Sequence, residues 1–218
     1  MSEMIYLLSP MPYEDTIHLP MISFSMLAVD IDFTNYDLLM FTSKQAVKSI
    51  EKINPDWKKV PCIAIGEATA QTIISLGGAI VYQPQNFYVK ILNKELVTLF
   101  KEKKILYLRP KEVSFDSKAY LETEGIKLDE KIIYETSCNT YDESKKPSYG
   151  AIIIFTSPST IRCFFKSFDW DESYTAVVIG EATKKHLPAY VCVKVASSPQ
   201  IKACVSKAKE LLLFSNSK

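Results

Sequence analysis

Short apolar runs recur along the chain, and the clearest of them are followed by Thr, Ser or Gly. Leu38–Phe41 is followed by Thr42 and Ser43 and then by a segment whose apolar residues have helical spacing. Continuous apolar runs rich in β-branched residues are typical of parallel strands buried on both faces, and Ser before a helical pattern is a typical N-cap. The pattern predicts an α/β fold in which buried parallel strands lead into helices.

Further apolar runs fit the same scheme, at residues 4–8, 79–82, 104–108 and 191–195. Gly77 with Gly78, and Gly125, follow helical patterns and are predicted to end those helices in the left-handed conformation.

An internal repeat organises the chain. The segment LLMFTS at 38–43 resembles IIIFTS at 152–157, and IGEAT at 65–69 recurs identically at 179–183. Both pairs have the same offset, 114 positions, from Phe41 to Phe155 and from Ile65 to Ile179. Two separate motifs that match at one common offset indicate a duplicated unit. The sequence therefore predicts two similar α/β lobes, each with a flavodoxin-like parallel sheet flanked by helices.

The two lobes are not two simple halves of the chain. The apolar runs that precede Pro10 and Pro110 are counterparts, so the second lobe must take its equivalent strand from the N-terminus. We therefore expect a discontinuous lobe of residues 1–20 and 139–218, with a second lobe, residues 34–129, inserted into it.

The chain then crosses twice between the lobes. The crossings fall at residues 21–33 and 130–138, where alternating apolar and polar positions predict strands. Two adjacent crossing strands would form a two-stranded connector, and the two lobes would leave a cleft between them.

Charge and composition exclude several classes of protein. Lys and Arg number 26 against 25 Asp and Glu, and a formal charge of +1 lacks the basic footprint of a nucleic-acid-binding protein. No apolar run reaches the roughly 18 residues of a membrane span, and the N-terminus lacks an export signal. We expect a cytoplasmic protein without membrane contact. Arg109 and Arg162 are the only arginines, so a polyanionic ligand must be held largely without guanidinium groups.

Cysteines and histidines do not form recognisable sites. The five cysteines show no CxxC spacing, and we expect them to be reduced, buried and structural. His18 and His186 are far apart and lack neighbouring ligand residues, which argues against a metal site and against a His-based nucleophilic triad.

The polar residues after the strands suggest anion binding. A strand that turns into a helix through Thr-Ser or Gly-Glu-Ala-Thr presents unpaired backbone N–H groups at the positive end of the helix dipole. Because ligands of open α/β sheets gather at the carboxyl ends of strands, several such turns together would form a binding edge. Alternatively, each hydroxyl is only a helix N-cap. Neither Gly66 nor Gly180 belongs to a dinucleotide-binding or P-loop pattern.

Taken in order, these motifs resemble the uroporphyrinogen-III synthase family. The resemblance covers essentially the whole chain and rests on FTSKQAV at 41–47, IGEATA at 65–70, LYLR at 106–109, IIYET at 132–136, FTSPS at 155–159 and IGEAT at 179–183. The family fold, two α/β lobes joined by a two-stranded ladder with one lobe discontinuous, agrees with the topology inferred from the repeat.

The resemblance implies a cofactor-free cyclisation of hydroxymethylbilane, a linear tetrapyrrole with eight carboxylates. The terminal hydroxyl leaves as water, and a spiro intermediate then recloses with the last pyrrole ring inverted. Backbone N–H groups at helix starts can bind carboxylates without net positive charge, which suits a chain with two arginines.

By the same resemblance, Tyr134 assists departure of the hydroxyl; otherwise it is a packing tyrosine on a strand. Arg109 matches the family's arginine after the central strand; alternatively, it forms a surface ion pair. Lys44 could attract the anionic substrate at long range; alternatively, it is a solvated surface group. The family often follows that arginine with Gly and Arg, whereas Pro110 and Lys111 stand here. The remaining substrate-binding candidates come from the four turn motifs: Thr42, Ser43, Gly66, Glu67, Ala68, Thr69, Thr156, Ser157, Ser159, Gly180 and Thr183.

Two other functions remain open at this point. One is a non-catalytic tetrapyrrole-binding or regulatory module of the same fold, and the other is a two-lobe protein that binds sugars or amino acids. For the enzyme, we expect a monomer whose partner is its small-molecule substrate, with the preceding enzyme of the pathway as a transient contact.

Overall fold

The computed structural model describes residues 4–27, 30–84, 95–113 and 116–215. The chain divides into two compact units, one formed by Met1–Ser23 with Ser137–Lys218 and the other by Phe24–Thr136. We call them the discontinuous unit and the inserted unit. No helix among the described residues is long and apolar enough to cross a membrane.

The described strands are, in chain order, β1 Ile5–Leu7, β2 Ile17–His18, β3 Ile22–Met26, β4 Leu38–Phe41, β5 Cys62–Ala64, β6 Ile80–Tyr82, β7 Lys104–Pro110, β8 Lys127–Cys138, β9 Ile152–Phe155, β10 Thr175–Val178 and β11 Val193–Val195. The described α-helices are α1 Lys44–Ile53, α2 Glu67–Ser75, α3 Ser117–Thr123, α4 Pro158–Ser167, α5 Glu181–Lys184 and α6 Ile201–Ser215. Short 3₁₀ helices span Pro55–Lys59 and Glu143–Lys145, and residues 95–99 are also helical.

The discontinuous unit contains a five-stranded sheet in the order β11-β10-β9-β1-β2. All of its neighbouring strands are parallel. The first strand of the chain, β1, lies between β9 and β2. When the sheet is read from β2, the order β2-β1-β9-β10-β11 corresponds to the 2-1-3-4-5 strand order of flavodoxin-like sheets.

The inserted unit contains a six-stranded sheet in the order β3-β8-β7-β4-β5-β6. The five strands from β8 to β6 are parallel to one another. The edge strand β3 is antiparallel to β8, and the backbone N–H of Leu27 donates to the carbonyl of Ile133 at 3.0 Å. The prediction of an α/β fold with parallel sheets flanked by helices is confirmed.

Strand registers show that the two sheets are equivalent position by position. In the inserted unit Met40 pairs with Ile63 and Tyr107. In the discontinuous unit Ile154, which is 114 residues after Met40, pairs with Val177 and Leu7. The repeat in the sequence is therefore a repeat of sheet geometry.

Burial explains why these runs form strands. All four residues of β4 and all four of β9 are buried, because helices cover both faces of each sheet. Trp57, which is fully buried, packs edge-on against Phe41 with ring centroids 5.8 Å apart. At the helix ends, Gly77 has φ +88° and Gly125 has φ +80°, which confirms the predicted left-handed conformation at these two glycines.

The cysteine prediction is wrong for a pair of residues. Cys138 and Cys163 form a disulfide, with their Cα atoms 5.2 Å apart, a usual separation for such a bond. The fold brings the end of β8 beside the buried Cys163 of α4, a proximity that the 25-residue spacing does not encode. Cys62 and Cys204 are free and buried as expected, whereas Cys192 is free but exposed.

The disulfide should contribute measurably to stability. Because it closes a 25-residue separation, we expect Cys138→Ser to lower the free energy of unfolding by about 3 kcal/mol. Urea unfolding without reductant measures this change, and Cys192→Ser, at the exposed free cysteine, is the matched control, expected to change stability by less than about 0.5 kcal/mol. Equal stabilities of the two variants would contradict the prediction.

Candidate functional site

In the inserted unit, polar residues gather where the parallel strands end. Thr42 and Ser43 follow β4, Gly66 follows β5, and Arg109 lies at the end of β7. Tyr134 lies on the neighbouring strand β8, opposite Pro110. Since β8, β7, β4 and β5 are successive strands of one parallel sheet, these residues share its carboxyl edge.

Ser43 and Tyr134 form a hydrogen-bonded pair at this edge. Ser43 is the N-cap of α1, and its Oγ accepts a hydrogen bond from the backbone N–H of Ala46 at 3.1 Å. The same Oγ lies 2.9 Å from the phenol oxygen of Tyr134. Tyr134 is only 4% exposed and packs edge-on against Phe24, with ring centroids 5.8 Å apart.

The environment keeps the Tyr134 phenol protonated. Burial raises its pKa above the ordinary value of 10, and the hydrogen bond with Ser43 partly offsets that rise. A protonated phenol retains an O–H that can donate to a ligand.

A second tyrosine, Tyr107, was not identified from the sequence as a site residue. Its phenol oxygen lies 2.8 Å from Oγ1 of Thr42, and burial raises its pKa to about 12. Tyr107 sits within an apolar strand run, so only the register between β7 and β4 could have indicated the contact. Both hydroxyls that follow β4 are thus fixed by phenols from other strands.

Arg109 is engaged within the protein. Its Nε lies 3.1 Å from a carboxylate oxygen of Glu130, and the two side chains are 16% and 17% exposed. Nη1 donates to the carbonyls of Pro110 at 3.0 Å and Lys111 at 3.1 Å. Nε itself has no aligned hydrogen-bond acceptor, so its contact with Glu130 is an ion pair. The guanidinium therefore already has an anionic partner on β8 and two carbonyl acceptors next to it along the chain.

Lys44 occupies the first helical position of α1, where the helix dipole is positive and disfavours a cation. Although much of the side chain is accessible, the protein around its ammonium and the charge of Lys48 lower its pKa. A carboxylate bound at this helix start would offset both the repulsion between Lys44 and the helix dipole and the repulsion between Lys44 and Lys48.

The Gly-Glu-Ala-Thr turn after β5 offers backbone groups more than side chains. Gly66 is the N-cap of α2, and Thr69 is buried, with its N–H donating to the Gly66 carbonyl at 3.0 Å. Ala68 is exposed beside it. The Glu67 carboxylate accepts from Gln71 at 2.6 Å and from Gln83 at 3.2 Å, and these bonds lower its pKa. An anionic Glu67 side chain repels carboxylates, so only its N–H suits such a ligand.

In the discontinuous unit, the equivalent edge follows β9. Ser157 caps α4 in a reciprocal capping box, in which its Oγ accepts from the N–H of Thr160 and Oγ1 of Thr160 accepts from the N–H of Ser157, both at 3.3 Å. Ser159 is half-buried in the first turn of the same helix. Oγ1 of Thr156 makes no side-chain hydrogen bond within the described part of the chain, so it remains available to a ligand.

The second Gly-Glu-Ala-Thr turn follows β10 in the same unit. Gly180 has an extended backbone, and a Cβ added there would meet no atom within 4 Å. Thr183 is 4% exposed, and its N–H donates to the Gly180 carbonyl at 3.0 Å. The open space beside Gly180 leaves room for a ligand to approach the backbone.

A model of the uroporphyrinogen-III synthase HemD family (HEM4) matches residues 14–206, which is most of the chain. The chain belongs to the uroporphyrinogen-III synthase family. The resemblance that the six motifs indicated is thereby confirmed. Members of this family act on a small-molecule tetrapyrrole in porphyrin and heme biosynthesis.

Solved structures agree with the family. The uroporphyrinogen-III synthetase of Helicobacter pylori 26695 is 27% identical, with a TM-score of 0.78 over 96% of this chain and 99% of that chain. A mutant uroporphyrinogen III synthase from the extremely thermophilic bacterium Thermus thermophilus is 10% identical and resembles this chain in fold, with a TM-score of 0.62 over 98% of this chain and 99% of that one. Among curated protein sequences, no significant match was found.

The burial of Tyr107 predicts a loss of stability in alkali. The unfolded phenol loses its proton near pH 10 and the folded one only near 12, so the free energy of unfolding should fall as pH rises between these values. Below pH 10 both states hold the proton, so this contribution does not vary with pH. Tyr107→Phe should remove about 2 kcal/mol of the alkaline loss.

Urea unfolding at about pH 9 and about pH 11.5 measures this difference, since the two values bracket the ordinary phenol pKa. Tyr149→Phe is the control, because the Tyr149 side chain is 75% exposed. The same pH dependence in both variants would show that Tyr107 is not the linked group.

Proposed function

We propose that this chain catalyses the cofactor-free cyclisation of hydroxymethylbilane to uroporphyrinogen III, and is thus a cyclising hydro-lyase. The observation on which this depends is the buried Tyr134 phenol, 2.9 Å from the N-cap hydroxyl of Ser43, at the carboxyl edge of a parallel sheet. It supplies one positioned weak acid, as expected for a reaction in which an electron-rich pyrrole expels its own hydroxyl.

The Ser43 hydroxyl directs the Tyr134 proton. Because Ser43 Oγ already accepts from the N–H of Ala46, its own hydrogen can point to the phenol oxygen of Tyr134. The phenol O–H is then free to donate to the substrate, and the hydrogen bond from Ser43 stabilises the charge that develops on the phenol oxygen.

In the first step, Tyr134 gives its proton to the terminal hydroxyl of hydroxymethylbilane, the C–O bond breaks, and water leaves. The substituted carbon of the last pyrrole attacks the resulting azafulvene and forms the spiro intermediate. The spiro centre then fragments and recloses with this ring inverted. A proton lost from the substrate as its pyrroles regain aromaticity restores the phenol, so the overall change is loss of one water.

Backbone amides bind the substrate carboxylates. Helices α1, α2 and α4 each begin at a strand end, and their dipoles favour anions. Because α4 begins with Pro158, which has no N–H, its first backbone donor is the N–H of Ser159. Lys44 adds a positive charge at α1, while the hydroxyls of Thr42, Ser43 and Thr156 add polar contacts. Cytoplasmic location, a monomeric state and transient contact with the preceding enzyme stay predictions.

The direct test is incubation of the purified chain with freshly prepared hydroxymethylbilane, followed by oxidation and chromatographic separation of the uroporphyrin isomers. We expect the type III isomer in excess of the type I isomer that forms spontaneously. Only the type I isomer, at the rate seen without protein, would contradict the proposed reaction. Binding without type III product would indicate a non-catalytic tetrapyrrole-binding module.

Tyr134→Phe removes the phenol proton with little change in packing. We expect kcat for the type III product to fall about tenfold to a thousandfold, the range for one positioned general acid. Tyr149→Phe is the control, because the Tyr149 side chain is 75% exposed and belongs to none of the strand-end motifs. An unchanged rate for Tyr134→Phe would remove this residue from the mechanism.

Gly180→Ala separates a ligand-binding role from a structural one. The extended backbone accepts alanine and the new methyl group meets no protein atom within 4 Å, so the melting temperature should stay the same. A carboxylate that approaches this backbone would collide with the methyl group, and losing one such hydrogen bond should raise KM by about tenfold. Unchanged KM with unchanged stability would exclude Gly180 from the binding edge.

A further inference from the structure

The two equivalent carboxyl edges differ at the strand beside the repeated Phe-Thr-Ser motif. The registers place Leu7 of β1 where the inserted unit has Tyr107, since Leu7 pairs with Ile154 as Tyr107 pairs with Met40. His18, which pairs with Leu7, takes the place of Glu130, which pairs with Tyr107. Two residues after Leu7, Ser9 stands where Arg109 follows Tyr107.

These replacements leave the discontinuous edge with uncommitted polar groups. In the inserted unit, Thr42 is bonded to Tyr107 and Arg109 is paired with Glu130. In the discontinuous unit, the apolar Leu7 cannot bond to the equivalent Thr156, whose Oγ1 has no partner among the described residues. The two equivalent edges therefore offer different side-chain groups to a ligand.

A hydrogen bond to the backbone orients the His18 ring at this edge. Its Nε2 lies 2.9 Å from the backbone carbonyl of Ser9, just beyond the end of β1. Since a carbonyl oxygen only accepts hydrogen bonds, Nε2 must carry a hydrogen. In the neutral ring Nδ1 is then an acceptor, and it makes no hydrogen bond within the described ranges. The His18 side chain is exposed, so the nitrogen is accessible to a ligand.

We propose that His18 is a further substrate-binding residue, and that its Nδ1 accepts a hydrogen bond from a pyrrole N–H of the tetrapyrrole. This inference rests on the proposed function and deepens it. Helix starts and threonine hydroxyls donate to carboxylates, but a bilane also presents pyrrole N–H donors, which need an acceptor. The fixed tautomer of His18 provides that acceptor on β2, the strand next to β1.

Kinetics with hydroxymethylbilane test the role directly. We expect His18→Leu to raise KM for type III formation by about tenfold, the value of one hydrogen bond, while kcat stays within about twofold. His18→Gln, which keeps a donor and an acceptor, should recover most of the lost affinity. His186→Leu is the matched control, since His186 is the other histidine and is exposed, and it should leave KM unchanged.

Nitrogen NMR of histidine-labelled protein provides a measurement that does not require turnover. Anaerobic addition of the product, uroporphyrinogen III, should shift the His18 Nδ1 resonance while Nδ1 stays without hydrogen, and the His186 resonances should not move. Benzenehexacarboxylate, which has carboxylates but no pyrrole N–H, should leave His18 unchanged.

The outcomes separate this inference from the proposed function. If the unmodified chain forms no type III product, the function itself fails. If it does, but His18→Leu has the same KM as His186→Leu, or Nδ1 becomes protonated on binding uroporphyrinogen III, only the role of His18 is overturned.

Discussion

Parallel pairing in register is the constraint on which the rest of this structure depends. A strand buried on both faces cannot place polar side chains within the sheet, so hydroxyls, amides and charges are confined to its ends. In β4 and β9 every residue is buried, and Thr42 and Thr156 are the first polar side chains after them. Because all neighbours of β4 and β9 are parallel to them, these ends collect at one edge of each sheet.

Local patterns were sufficient to predict much of the fold. The α/β class followed from apolar runs that end in capping residues, and the left-handed glycines Gly77 and Gly125 followed from helical patterns that stop. The 114-residue repeat holds position by position, because Met40 and Ile154 occupy equivalent registers. Each of these inferences uses a property of a residue and its near neighbours, which a sequence contains directly.

Features that depend on tertiary proximity could not be predicted in this way. Tyr107 lies in an ordinary apolar run, and its partner Thr42 is 65 residues away. Arg109 followed the expected strand, but the ion pair with Glu130 arises from pairing of β7 with β8. The Cys138–Cys163 disulfide likewise joins a strand end to a helix and has no spacing signature. Sequence patterns identify the groups at an edge, whereas the strand order determines which of them already have partners.

The identical Gly-Glu-Ala-Thr turns illustrate how packing and binding are divided within one motif. Thr69 and Thr183 are 5% and 4% exposed, and each backbone N–H donates to the carbonyl of the glycine three residues earlier. Their side chains thus fill space beneath the helix start and contribute little to a ligand outside it. The exposed residues of the motif are its Glu and Ala, at the first two helical positions, and the glycine is half-buried. A charge of +1 is compatible with an anionic ligand if the backbone N–H groups of these residues do the binding. The identical side chains of the two turns therefore maintain the same backbone conformation at the start of each helix.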